Sequence, residues 1–237
     1  MSDAFSRAIF GAREAGRLPL VVDIKPVSPR DGALVRSRDP AAMAKMLDQA
    51  GVCALSVVTE PEHFGGSLQM LQEVAASVSL PVLRKDFLRS PEDVDAALEA
   101  GAAAVLLTLS TINELEAPGL YRRIYSLGME PLVEVHSHEE LRFALGLTPE
   151  PSIIGINNRD ITRLEKDDGD VSVTESLAPL VPTGVVILSE SAMLTPGDVG
   201  RAFAAGAHGV LIGTAVLQAE DPAAMVAELA MGSGVLK

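Results

Sequence analysis

The 237-residue chain predicts an α/β fold: a single-domain (β/α)8 TIM barrel over residues 1–237, with a short N-terminal helical extension over residues 1–18. Three observations carry this. Short apolar, β-branched runs recur along the chain, and such runs read as parallel strands buried on both faces. Helix-like segments alternate with them, the pattern of a parallel α/β fold. A helix–glycine–strand unit also repeats. Ser90-Pro91-Glu92-Asp93-Val94 leads to Ala100-Gly101-Ala102, and Thr195-Pro196-Gly197-Asp198-Val199 leads to Ala205-Gly206-Ala207, each followed by an apolar run.

Taken in order, a helical segment over about 3–15 comes first, placed either to close the barrel bottom or to lie over its mouth. Strand-like runs follow at about 20–25, 53–58, 81–85, 103–108, 131–135, 152–157, 185–189 and 208–213. The helix from Pro40 to Gly51 opens with Asp39-Pro40, a cap followed by proline in the first turn. Ser90 to Gly101 repeats that design, with Ser90 and Asp93 spaced as a capping box, and Thr195 to Gly206 repeats it again. The Ala-Gly-Ala after each helix fits a glycine stop and a tight turn into the next strand. A doubly wound open sheet would want a glycine-rich loop after the first strand, where this chain has Pro26 and Pro29. No low-complexity segment or linker interrupts the pattern.

Apolar residues make up 48% of the chain, ample for a core. No run reaches the roughly 18 apolar residues that would span a bilayer, and Met1 to Arg17 has no signal-peptide core, so no membrane contact is expected. The lone Cys53 excludes an internal disulfide and a zinc site. It reads as a small buried hydrophobe in a reducing, cytoplasmic setting. A net charge of −13 without a basic cluster argues against nucleic-acid binding. An anionic small molecule still fits, because Lys25, Lys85 and Arg159 supply local positive charge.

Those three cations and Glu134 each end a separate apolar run. Charges are rarely buried unless paired, so their recurrence at strand ends points to one shared polar cavity. In a barrel of this kind the C-terminal strand ends and following loops form the active site. Lys25, Lys85, Glu134, Asn157, Arg159 and Ser191 all fall there. Ser189-Glu190-Ser191-Ala192 and Ile212-Gly213-Thr214-Ala215 follow the last two strands, where backbone N–H groups commonly bind phosphate. Together they point to a phosphorylated substrate.

At this point the residues resemble a family. Ile24-Lys25-Pro26-Val27-Ser28-Pro29, Leu55 to Ser67, Pro81 to Phe87, Leu132-Val133-Glu134-Val135-His136, Gly155-Ile156-Asn157-Asn158-Arg159-Asp160 and Ser189-Glu190-Ser191 look like indole-3-glycerol phosphate synthase, in order, from about residue 20 to 220. The short N-terminus and Asp167 to Ser172 look most like short archaeal forms. The resemblance implies a carbon–carbon lyase of tryptophan biosynthesis. It would convert 1-(2-carboxyphenylamino)-1-deoxyribulose 5-phosphate into indole-3-glycerol phosphate, carbon dioxide and water, with no cofactor and no metal.

The resemblance also implies roles. Lys85 is the expected general acid for the keto oxygen. An ammonium gives up its proton readily only if its pKa is lowered, and crowding by Lys25 would lower it. Glu134 serves the dehydration, and Lys25 acts as an acid or holds an anionic group. Asn157 and Arg159 orient carboxylate and hydroxyls, with the forked guanidinium suited to a carboxylate. Phe64 and Phe87 would cover the anthranilate ring. Ser28, Glu190 and Ser191 are expected substrate contacts, and Ala192, Gly213, Thr214 and Lys25 the phosphate site. Two positions depart from the family pattern. Asp23 stands where glutamate is usual, withdrawing the carboxylate by roughly 1–1.5 Å. It is expected to partner Lys25 at longer reach or through water. Ala192 stands where glycine is usual, strained if that position needs φ > 0.

Plainer readings stand beside these. Lys85 pairs with Asp86, Glu134 with Lys25, Phe87 is core, Ser28 is a turn hydroxyl, and His136 and His138 lie in an exposed strand-to-helix turn. Two rival functions remain. A phosphoribosylanthranilate isomerase-like barrel needs a cysteine and an aspartate at strand ends, whereas Cys53 lies at a strand start. A non-catalytic sugar-phosphate-binding paralogue rests on Asp23 and Ala192. The residues leave open a contact with a tryptophan synthase subunit.

Overall fold

The structure, a computed structural model, describes residues 3–35, 38–164 and 166–232. Strand β1 (Leu20–Ile24) and a small hairpin of β2 (Val27–Ser28) and β3 (Gly32–Ala33) come first. The strands β4 (Ala54–Val58), β5 (Val82–Lys85), β6 (Ala104–Thr108), β7 (Glu130–Val135), β8 (Ile153–Asn157), β9 (Val186–Glu190) and β10 (Gly209–Ile212) follow. The helices are α1 (Ala4–Glu14), α2 (Pro40–Gln49), α3 (Leu68–Ser77), α4 (Pro91–Glu99), α5 (Ala117–Ser126), α6 (His138–Leu145), α7 (Ser172–Leu177), α8 (Pro196–Ala204), α9 (Thr214–Gln218) and α10 (Pro222–Ala230). Apart from β2 and β3, the strands close into one parallel barrel in chain order, with β10 returning to β1. The capping boxes form as the spacing predicts. Ser90 and Asp93 cap α4 reciprocally, and Thr195 and Asp198 cap α8. Gly101 (φ 86°) and Gly206 (φ 110°) turn the chain after each helix in the left-handed region. No helix among the described residues is long and apolar enough to cross a membrane.

The period-2 alternation of strands sorts side chains into two layers. Val22, Leu55, Val105, Val133 and Ile154 point outward and pack with Leu47, Leu71, Val74 and Ile124 of the surrounding helices. Val21, Leu83, Leu106, Leu132, Leu188 and Leu211 point inward and form a separate core with Phe5, Ile9 and Ala12 of α1. Helix α1 therefore plugs the bottom of the barrel, which settles the choice that the sequence left open. Its anchor is Glu130 at the start of β7. That carboxylate accepts the Ser6 N–H at 3.0 Å and the Ser152 hydroxyl at 2.8 Å. With the bottom filled by apolar groups, the next inward positions toward the C-terminal ends are Asp23, Ser56, Lys85, Thr108, Glu134, Asn157 and Glu190, all buried.

Candidate active site

Lys85 stands at the centre. Its Nζ donates to Glu134 Oε2 at 3.1 Å and to Glu190 Oε2 at 2.9 Å. Both carboxylates are fully buried and Lys85 is only 8% exposed, so each charge is held by its partners rather than by water. Asn157 Nδ2 donates to the same Glu134 oxygen at 3.1 Å, and Asn157 Oδ1 accepts the Arg159 N–H at 3.0 Å. Strand β8 makes room for this cluster by lacking a side chain. A Cβ on Gly155 would come within 2.1 Å of Glu190 Oε1.

One cation between two carboxylates drives their titrations apart. Burial pushes Glu134 up, but Lys85 and then His136 more than offset it and hold Glu134 below the ordinary carboxylate range. Burial raises Glu190 too. The Lys85 charge opposes the rise, Glu134 adds to it, and Glu190 ends pushed up to about 8. The same side chain is thus pulled in opposite directions at two positions of one site, Glu134 toward its ionised form and Glu190 toward its protonated form. Lys25 and Lys85 line the same cavity. At hydrogen-bond distance the Lys85 ammonium meets two carboxylates, Glu134 and Glu190, which the sequence reading did not pair with it. Among the described residues no ion pair joins Lys85 to Asp86. Arg84 points outward and takes Asp86 at 2.9 Å, with Thr59 and the Asp93 carbonyl as its other partners.

The cavity has two lobes that share Asp23, Lys25 and Lys85. One, of about 330 Å³, is walled by Val58, Phe64, Phe87, Leu106 and Ile161. Phe64 and Phe87 sit 6.4 Å apart at a 56° tilt, and Phe87 both lines this lobe and packs in a small cluster with Phe64, Val58 and Ile161. The Lys25 ammonium lies 5.4 Å from the Phe64 ring centroid, within cation–π range. The other lobe, of about 390 Å³, is walled by Arg159, Ser191, Ala192, Gly213 and Thr214. Ser191 (φ 65°) and Ala192 (φ 58°) are both left-handed, so the alanine occupies the strained geometry that its departure from glycine implied. Gly213 is required by its neighbour. A Cβ there would meet the Asp23 carbonyl at 2.9 Å. Asp23 itself accepts the Ser56 hydroxyl at 2.6 Å. Ser28 is buried in the β2–β3 hairpin, its hydroxyl bonded to Asp31.

Two features escaped the sequence reading. His136, expected in an exposed turn, has a side chain only 16% exposed and lies beside Glu134. Ser56 and Thr108 also face inward. Counting the inward parity of each strand finds all three, because each lies an even number of residues from a recognised inward residue of its own strand or from the register partner of one. Elsewhere, Glu60, Glu62 and His63 form a cluster of metal-ligand residue types. Its buried member is already engaged. Glu60 accepts the N–H groups of Glu62, His63 and Phe64 at 3.0, 2.8 and 3.0 Å, which fixes the turn carrying Phe64.

The sequence also matches known proteins over most of its length. A family model described as indole-3-glycerol phosphate synthase matches residues 3–229. The chain is 43% identical to the indole-3-glycerol phosphate synthase of Thermococcus kodakarensis over 217 residues, 92% of each protein. It is 42% identical to that of Pyrococcus furiosus over 221 residues, 93% of this chain and 94% of the relative. With that of Shouchella clausii the identity is 40% over 218 residues, 92% and 84%.

Proposed function

We propose that this chain, which belongs to the indole-3-glycerol phosphate synthase family, closes the indole ring of 1-(2-carboxyphenylamino)-1-deoxyribulose 5-phosphate, releasing carbon dioxide and water. The observation that carries the reading is the Lys85 ammonium, held by Glu134 and Glu190 where an aromatic lobe meets a cationic one. The substrate has the same two halves, an anthranilate ring and a ribulose phosphate. The ring fits between Phe64 and Phe87. The phosphate fits the second lobe, where Ala192, Gly213 and the N-terminus of α9 at Thr214 offer backbone N–H groups and Lys25 offers charge. Arg159, whose buried Nε has no hydrogen-bond partner among the described residues, is suited to the anthranilate carboxylate.

The chemistry then divides among the buried groups. As the ring carbon attacks the keto carbon, Lys85 gives its proton to the developing alkoxide, leaving a hydroxyl. Carbon dioxide departs with cleavage of the ring–carboxylate bond. In the dehydration, Glu134 takes a proton from the substrate while the hydroxyl leaves as water with a proton supplied by a lysine. Lys25, which lines both lobes, takes that second acid role. Glu190, protonated, donates a hydrogen bond to the substrate, and Asp23, which accepts the Ser56 hydroxyl, partners Lys25. Cys53 does not support an isomerase of the cysteine–aspartate type. It lies at the barrel bottom, bonded to the Leu20 carbonyl, with burial pushing its thiol up to about 12. A buried, unmodified thiol suits the cytoplasm, where we place the protein. The direct test is fluorescence of the indole product with purified protein and substrate. Turnover is expected. Binding of substrate without any product would favour the non-catalytic paralogue.

A further inference from the structure

His136 is not used by the reading above, yet it is built into the site. It lies just beyond β7, two residues past Glu134 and therefore on the same inward side of the strand. Its Nδ1 is 3.3 Å from Glu140 Oε2 and 3.3 Å from the Ser110 hydroxyl. Its Nε2 is 3.8 Å from Glu134 Oε1. Glu140 is itself fixed. It accepts the His136 backbone N–H at 2.6 Å, and its own N–H is capped by the Ser137 hydroxyl at 3.1 Å in the first turn of α6. The helix cap thus aims the ring. Both His136 Nε2 and Glu134 Oε1 are buried without a hydrogen-bond partner among the described residues, and each is turned toward the other.

We propose that His136 is a positioning residue whose imidazolium keeps Glu134 ionised and oriented during the steps in which Lys85 is without its proton. The inference rests on the acid and base roles given to Lys85 and Glu134 above. Once Lys85 gives its proton to substrate, Glu134 loses the positive charge 3.1 Å from its Oε2. A fully buried carboxylate without a cation takes up a proton and ceases to be a base. The imidazolium on the other oxygen is a charge that does not depart with the chemistry. The groups that face the ring favour this state. Glu134 comes from β7, Glu140 from α6, the neutral Ser110 from the turn after β6, and across Glu134 stand Glu190 of β9 and Lys85 of β5. Burial acts to lower the His136 titration, but the Glu140 hydrogen bond and the charges of Glu134, Glu140 and Glu190 leave it raised.

Two measurements test this. In His136→Gln the side chain keeps an N–H donor and loses the charge. Its kcat should fall most on the acid side, with the acid limb of the kcat–pH profile moved up by about one pH unit, the shift that a tenfold weaker carboxylic acid produces. KM should stay within about twofold. A profile that superimposes on wild type after uniform scaling overturns the proposal. The second measurement needs no turnover. The chain has four histidines, so the His136 ring can be assigned and titrated by NMR in wild type and in Glu134→Gln. Coupling is reciprocal, so removing the Glu134 charge should lower the His136 midpoint by at least half a pH unit. An unchanged midpoint overturns the proposal even if the His136 variant fails to fold. Absence of turnover in wild type would instead count against the function proposed above, and the titration would still decide this one.

Discussion

Arg84 and Lys85 are adjacent in the chain and face opposite sides of the barrel wall, Arg84 toward Asp86 and the helices, Lys85 toward Glu134 and Glu190. That difference follows from period-2 geometry alone and was legible in the sequence once β5 was recognised. What was not legible is the second partner of Lys85. Glu190 lies 105 positions away and reaches the lysine only because Gly155 leaves the space. The protonation of Glu190 gives a stability test. Its carboxyl is raised from 4.5 to about 8, so between those values the folded state binds the proton more tightly than the unfolded chain. Stability is therefore lost as pH rises through that window. Glu190→Gln cannot ionise, so its melting temperature relative to wild type should be higher at pH 9 than at pH 5. An equal difference at both pH values would mean that Glu190 is ionised throughout. At Ala192 the backbone decides. A non-glycine residue at φ 58° carries about 1–2 kcal/mol of strain, partly offset because glycine gains more entropy on unfolding. Ala192→Gly should raise stability by about 0.5–1 kcal/mol in denaturant melts. A loss of stability there would show that the Cβ, packed toward Gly169, matters more than the strain.

Among the elements, the helix starts were readable because caps are local. Ser90, Asp93, Thr195 and Asp198 reveal α4 and α8 within four residues. The seat of α1 was not readable. Its amphipathic face, Phe5, Ile9 and Ala12, would suit either end of a barrel, and the choice is made by Glu130, which receives the Ser6 N–H from 124 positions away. The side chain of Asp3, at the N-cap position of α1, makes no capping hydrogen bond, so Glu130 supplies the cap from another element. The β2–β3 hairpin was hidden for a similar reason, since prolines mask a two-residue strand and the Ser28–Asp31 bonds that close it are side-chain chemistry. Glu130→Ala leaves the Ser6 and Ser152 donors unpaired at the barrel bottom and should cost about 1–3 kcal/mol of stability. Because the active groups sit at the opposite end, kcat should stay within twofold at temperatures where the variant is folded. Unchanged stability would remove Glu130 as the anchor, and a large fall in kcat in a folded variant would mean that the plug communicates with the mouth.

At the scale of the whole molecule, an acidic protein of net charge −13 gathers Lys25, Lys85 and Arg159 around one cavity at one end of its barrel. The parallel barrel makes this possible. Every strand ends on the same face, so one inward position per strand builds a ring of polar groups above an apolar floor. The strands, their order and the cluster of strand-end charges were therefore open to a reading of the sequence, while the pairing inside the cluster depends on the register between strands. The central claim is that the Lys85 proton starts the reaction, and Lys85→Met tests it most directly. Methionine fills similar volume and carries no proton, so kcat should fall by about 10²–10⁴-fold, the range of a lost general acid, with circular dichroism unchanged. A folded Lys85→Met protein that keeps more than about a tenth of wild-type kcat, within about 1.4 kcal/mol of the wild-type barrier, would contradict the claim.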